Sequence, residues 1–447
     1  MVSRAVGVQD SHSRNNVACL GRGPARTRAA FRADQDERRY GHNRAEDRHG
    51  WDIIRHGCEP VHSTRPLVAA YLVQSRRQPH RRANEERRGM AKNIVVCLDG
   101  TWNQPERLNG HRAPTNVLKF MRALLPTGRH GRCQVALYDA GVGTGSAVDR
   151  VKGIFGAGLS ENVLDGYRFI ANNYDAGSGE SEPDDIFLIG FSRGAFTARS
   201  LAGMLGAVGL LEKRDMNLLP EAFDIYRTRP EERQRHRHWG LVEQTRKVTI
   251  KFIGVWDTVG TLGIPVTWLN WLGRRRYGFH DVNLGSHVRH AYHALAIDEH
   301  RKPFAAAIWE QPSDPPKHEQ KVEQVWFAGA HSNVGGGYRD SGLSDIALEW
   351  MIGKAEACGL SFDQDYIRQC VKPRVDGVLV ESRRSFYRAW PRSERQVRQP
   401  NHFHESVHPS VLERMRCLKS SYAPKNRHLE QVFAEIAESA EDYSKAA

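Results

Sequence analysis

A serine hydroxyl attacks a carbonyl carbon only when a base stands ready to take its proton. Ser192 is placed for that chemistry, inside Ile186-Phe-Leu-Ile-Gly190-Phe-Ser192-Arg-Gly194-Ala. An apolar run leads into Gly-x-Ser-x-Gly, and a helical period, Phe196-Thr-Ala-Arg-Ser-Leu-Ala-Gly-Met-Leu205, begins at once. This pattern is that of a nucleophile elbow, a sharp strand-to-helix turn that lifts the hydroxyl clear of a sheet. Gly190 and Gly194 leave room where Cβ atoms would crowd that turn. The backbone N–H of Arg193, first in the helix, lies where an oxyanion would form. A second oxyanion donor is expected from the Gly100/Thr101 turn after the first strand.

The base and its orienting acid must follow at other strand ends. His331 lies in Trp326-Phe-Ala-Gly-Ala-His331-Ser-Asn-Val-Gly-Gly-Gly337-Tyr, just past a strand and before three glycines. Among 21 histidines, that context singles it out as the base. Asp257, closing the strand run Val255-Trp-Asp257-Thr-Val-Gly260, is the stronger candidate acid. Asp298, in His293-Ala-Leu-Ala-Ile-Asp298-Glu-His-Arg301, competes for the role, but the period around it reads as helical. Ser192, Asp257 and His331 then follow the chain order serine, acid, histidine of the α/β-hydrolases.

Other motifs carry less. Asp99-Gly-Thr101 has the look of an aspartyl phosphatase loop, but Cys97 stands where the phosphorylated carboxylate would be. Asp99 is better read as a brace for the loop beside the oxyanion site. Gly141-Val-Gly-Thr-Gly145 lacks the spacing of a nucleotide loop and reads as a tight turn. In the stretch 261–277, Trp268 and Trp271 precede Arg274, Arg275 and Arg276. An aromatic stripe joined to a basic cluster suits peripheral contact with a lipid surface. It equally suits helix packing beside a solvated charge run, and its place after Asp257 makes it a candidate lid.

The elements that must position these groups alternate. Strand runs are expected at Asn93–Leu98, Gln134–Tyr138, Asp185–Ile189, Val248–Trp256 and Gln324–Ala328, with helices near Leu159–Asn173, after Ser192 and near Ser344–Cys358. Strands separated by helices imply an α/β fold, a mostly parallel α/β-hydrolase-type sheet with helices on both faces. Active groups in such sheets gather beyond the carboxyl ends of the strands. Ser192, Asp257 and His331 all fall there.

The chain of 447 residues carries a formal charge of +13, of which residues 1–90 hold +8, with 18 Arg and no Lys. That segment has no sustained period and too few aliphatic runs to offset its ordering entropy, so it is expected to be a disordered Arg-rich extension. Met90 directly precedes the first strand, and every Lys follows it. A mis-annotated start explains both facts better than an arginine-rich arm for nucleic acid or acidic lipid, so no nucleic-acid partner is expected. Residues 91–447 form the expected hydrolase domain, with the lid-like insertion at 261–277. Seven scattered cysteines show neither metal spacing nor a disulfide framework, which suits a reducing compartment. No signal-peptide core or run of 18 apolar residues is present. A cytoplasmic location, compatible with signal-independent export, is the expectation. No cofactor or metal site is expected.

Five motifs occur in one order: Leu98-Asp-Gly-Thr-Trp-Asn103, Gly190-Phe-Ser-Arg-Gly-Ala-Phe196, Val255-Trp-Asp-Thr-Val-Gly260, Ala294-Leu-Ala-Ile-Asp-Glu299 and Gly329-Ala-His-Ser-Asn-Val-Gly-Gly-Gly-Tyr338. Together they resemble an α/β-hydrolase family of unknown-function domains that includes type VI secretion phospholipase effectors. The likeness covers about residues 92–350, and extends weakly to Glu405–Leu412. It implies a lipase-type triad at Ser192, Asp257 and His331. Asn333 departs from the pattern, since most relatives are expected to carry Asp there. The resulting expectation is a serine ester hydrolase, lipase- or phospholipase-like, acting through an acyl-enzyme on a lipid or small ester. The alternative is a non-catalytic hydrolase-fold scaffold that binds a lipid or a protein.

Overall fold

The computed structural model describes residues 91–100, 113–141, 157–259, 284–310 and 319–433, apart from residue 180 and short gaps after residue 384. Residues 1–90, Thr101, most of the Gly141–Gly145 turn and the stretch 261–277, with Trp268, Trp271, Arg274, Arg275 and Arg276, lie outside the described residues.

Seven strands form one sheet: β1 (Asn93–Leu98), β2 (Gln134–Asp139), β3 (Asp185–Phe191), β4 (Ile250–Trp256), β5 (Val288–Ala296), β6 (Lys321–Phe327) and β7 (Glu405–Val407). Their order is β2-β1-β3-β4-β5-β6-β7, and every neighbouring pair is parallel. The chain runs from β1 outward to β2, then returns to place β3 on the other side of β1. That reversal opens a crevice beyond the carboxyl ends of β1 and β3, where such sheets bind ligands.

Helices cover both faces, because both faces of the strands are apolar. Along β1, Ile94, Val96 and Leu98 face one cluster while Val95 and Cys97 face the other. The first cluster is closed by α2 (Ala157–Asn173), α3 (Arg193–Val208) and α4 (Leu219–Arg227). The second is closed by α1 (Asn116–Ala123) and α6 (Gly342–Ala357). Each fully buried aliphatic or phenyl side chain in these layers contributes about 1.5–3 kcal/mol. A third, smaller cluster joins Leu295, Trp326 and Ala328 to Val397, Val411 and Leu429, so the C-terminal region packs directly on β5 and β6. The remaining helices are α5 (His331–Gly335), α7 (Gln364–Cys370) and α8 (Pro409–Arg416).

The expected α/β class and sheet hold. One reading needs correction. The segment around Asp298 is not helical: His293, Ala294, Leu295 and Ala296 belong to β5, a central strand buried on both faces. A strand covered on both sides has no polar alternation to reveal it.

Candidate active site

Ser192 follows β3 and caps α3 with φ 58° and ψ −118°. A non-glycine residue rarely adopts that conformation, and its persistence marks a site that the surroundings over-determine. The two flanking glycines allow the turn. A Cβ on Gly190 would stand 2.6 Å from Ala195 Cα, and one on Gly194 would stand 2.0 Å from the Leu98 carbonyl oxygen. The Ser192 N–H donates to the Trp256 carbonyl, which fixes the turn against β4 (3.1 Å).

His331 begins α5, four residues beyond the end of β6. Its ring lies between Phe191 and Phe304, with centroids at 4.6 Å and 5.2 Å. The glycines after it let the turn dock on α1: Gly336 has φ 85°, and a Cβ there would meet the Asn116 backbone nitrogen at 2.6 Å. Asn116 Nδ2 in turn donates to the Val334 and Ser344 carbonyls. His331 Nε2 stands 2.8 Å from Ser192 Oγ, and its Nδ1 stands 2.7 Å from Asp257 Oδ2. The three side chains named from the sequence therefore form one hydrogen-bonded line, across the ends of β3, β4 and β6.

Asp257 closes that line. It is fully buried and holds φ 35°, a second positive value outside glycine. Oδ1 accepts the Ala296 N–H (3.1 Å), and Oδ2 accepts Arg395 Nη2 (2.8 Å) besides facing His331. Burial pushes the carboxyl up, but the Arg395 charge and the His331 hydrogen bond outweigh it, leaving Asp257 at about 2, below the ordinary 3.8. The next residue is braced too: Thr258 N–H donates to Nε2 of the buried His293 (3.1 Å).

Asp298, the competing acid, serves other partners. Its Oδ2 accepts the Gly329 N–H (2.7 Å) and the Tyr422 hydroxyl (2.8 Å), tying the loop after β5 to the loop that carries His331. Burial raises its carboxyl above the usual range. At the proposed oxyanion turn, the Gly100 N–H is already engaged by Asp99 Oδ1 (2.7 Å). Asp99 also accepts from the Tyr138 hydroxyl (2.9 Å) and from Thr115 Oγ1, so it braces this loop as expected. The Arg193 guanidinium is partly buried and makes no ion pair among the described residues; burial brings it down from 12.5 to about 10. No cluster of His, Cys, Asp and Glu among the described residues could hold a metal ion.

Residues 92–354 match the catalytic domain of the phospholipase effector Tle1-like family of the type VI secretion system (T6SS). That is more than half of the chain. The chain belongs to this family. An uncharacterized protein from Saccharomyces cerevisiae is 31% identical over 241 residues, 48% of this chain and 32% of that protein. The chain thus spans about a third of the length of the curated relative it matches. Two solved structures are similar at 18% identity. An uncharacterized protein from Pseudomonas aeruginosa has a TM-score of 0.37 and covers 66% of this chain and 51% of its own. The Tle1 effector bound to the VgrG spike from the type 6 secretion system has a TM-score of 0.31, with 57% and 52% covered. Among the described residues no helix is long and apolar enough to cross a membrane.

Two residues of this Tle1-like site escaped the sequence reading. Glu299 is buried, accepts the His331 backbone N–H at Oε2 (3.3 Å), and is held by Arg301 (2.8 Å) and Ser382 (2.9 Å). Its place beside Asp298 in a motif was the available signal. Arg395 lies beyond the matched 92–354 span, in an Arg-rich stretch with no motif to mark it. Asn333 also finds its explanation: its Nδ2 donates to the Val378 carbonyl (2.9 Å), which an Asp could not do.

Proposed function

We propose that this protein is a serine ester hydrolase of the phospholipase type, in which Ser192 is the nucleophile, His331 the general base and Asp257 the orienting acid. The observation that carries the reading is the unbroken line Ser192 Oγ–His331 Nε2 (2.8 Å) and His331 Nδ1–Asp257 Oδ2 (2.7 Å). Membership of a phospholipase effector family supports a lipid ester as the substrate.

In this reading Asp257, an anion that can only accept, keeps the proton of the neutral imidazole on Nδ1. The lone pair of Nε2 then faces Ser192 Oγ and takes its proton as the oxygen attacks the ester carbonyl. The developing oxyanion sits at the amino end of α3, where the Arg193 N–H and the helix dipole favour negative charge. The Gly100/Thr101 turn would supply the second donor, and the Gly100 N–H would first have to leave Asp99. His331 passes its proton to the leaving alcohol, and the acyl group stays on Ser192. Water, activated by the same imidazole, attacks the acyl-enzyme and frees the acid. A scaffold that only bound lipid would have no use for strained backbone at both Ser192 and Asp257.

The test is turnover of a panel of phospholipid vesicles and short-chain esters by the full chain and by Ser192→Ala. The wild type is expected to cleave at least one ester class, and folded Ser192→Ala to cleave none above background. Equal turnover by the two would remove Ser192 from the chemistry.

A further inference from the structure

Asp257 Oδ2 accepts two donors, His331 Nδ1 at 2.7 Å and Arg395 Nη2 at 2.8 Å. Only 4% of the Arg395 side chain is exposed, and none of the Asp257 side chain. Arg395 Nε and Nη1 are buried with no acceptor among the described residues. The Asp257 contact is therefore what holds the charged end of this side chain. Removing either partner of a buried ion pair leaves the other charge uncompensated, so Arg395 and Asp257 depend on each other. The oxygen that Arg395 shares with His331 points to a task at the site.

The task follows from the chemistry of a buried carboxylate. Desolvation favours the protonated acid, and a neutral imidazole brings no compensating charge. A protonated Asp257 could donate to Nδ1, moving the imidazole proton to Nε2, where it would face Ser192 and block proton transfer. A fixed positive charge on the same oxygen forbids this. The segment that delivers it is anchored on both sides: the Ser393 N–H donates to the His300 carbonyl (3.0 Å), Asn426 Nδ2 donates to the Arg395 carbonyl (3.0 Å), and Val397 is buried in the third cluster. We infer that Arg395 is a positioning residue, one that holds the Asp257 carboxylate charged and in a single orientation so that His331 keeps its Nε2 lone pair toward Ser192. This rests on the hydrolase reading above. It also makes the region after residue 354 part of the working site, because the matched catalytic span does not contain Arg395.

Chemical rescue separates this role from a structural one. In the full chain, Arg395→Ala should lower kcat on the order of 10²-fold, the scale of a misplaced catalytic group, with KM little changed. Millimolar guanidinium chloride should restore much of that loss by filling the vacated space, whereas urea, of similar shape but uncharged, should not. Arg395→Lys should retain more activity than Arg395→Met, and that pair decides the matter if the Ala variant fails to fold. Wild-type kcat in folded Arg395→Ala or Arg395→Met would overturn the inference. So would a loss that neither guanidinium nor the Lys variant relieves. Ser192→Ala, assayed alongside with and without guanidinium, should stay inactive; if it turned over, the hydrolase reading itself would fail, and the Arg395 results would not be blamed for it.

Discussion

Between Gly194 and Leu98 there is no room for a methyl group. A Cβ on Gly194 would stand 2.0 Å from the Leu98 carbonyl oxygen, so the first turn of α3 rests directly on the end of β1. That contact sets where Ser192 projects. Gly194→Ala should push the turn away from β1, destabilising the protein by about 1–3 kcal/mol and lowering ester turnover more than the stability loss accounts for. Chemical denaturation together with kcat on the folded fraction measures both. An Ala variant with unaltered kcat would show that this contact does not place the serine.

The two aspartates should separate cleanly. Asp257→Asn is expected to lower turnover on the order of 10⁴, because the wrong imidazole tautomer is then favoured. It should also cost stability, since Arg395 is left buried without its counter-charge. Asp298→Asn should weaken the loop ties to Gly329 and Tyr422 and lower the melting temperature, with a much smaller effect on kcat. The reverse ranking in kcat would transfer the acid role to Asp298.

How much of this was legible depended on whether the signal was local. The Gly190–Gly194 motif lies between a strand and a helix in the sequence itself, so Ser192 could be named at once. Asp257 and His331 announced themselves as polar residues closing apolar strand runs. The strand β5 hid because Tyr292, His293, Ala294, Leu295 and Ala296 are all buried, and without a wet face the period of two disappears. Arg395 had no local mark of any kind. Its meaning comes from packing against a residue 138 positions away, and only the fold reveals that.

Asn333 offers a substitution in which a nearly isosteric change removes one donor. Asn333→Asp keeps an acceptor for the Ala330 and Val380 N–H groups but can no longer donate to Val378. A loss of roughly 1–3 kcal/mol is expected for a buried polar group left unmatched. Thermal denaturation checks it, and a variant as stable as the wild type would mean that the 378–380 segment docks without this bond.

His293 gives the stability a defined pH dependence. Burial, foremost, and the neighbouring Arg199 charge bring it down from 6.5 to about 3. The unfolded chain therefore takes up a proton near pH 6.5 that the folded chain refuses until about pH 3. Its contribution to stability is complete above pH 6.5 and is lost progressively as pH falls from 6.5 toward 3. His293→Gln, which can still accept from the Thr258 N–H, should flatten the melting temperature across that window relative to wild type. Parallel profiles would show that His293 titrates alike in both states.

The central claim is that Ser192 is a nucleophile activated by His331, and active-site labelling tests it most directly. A fluorophosphonate probe should add once per chain, with the adduct mapped by peptide mass to Ser192. Labelling should vanish in Ser192→Ala and slow greatly in His331→Ala. An adduct on another residue, or no adduct on a protein that still turns over an ester, would contradict the account.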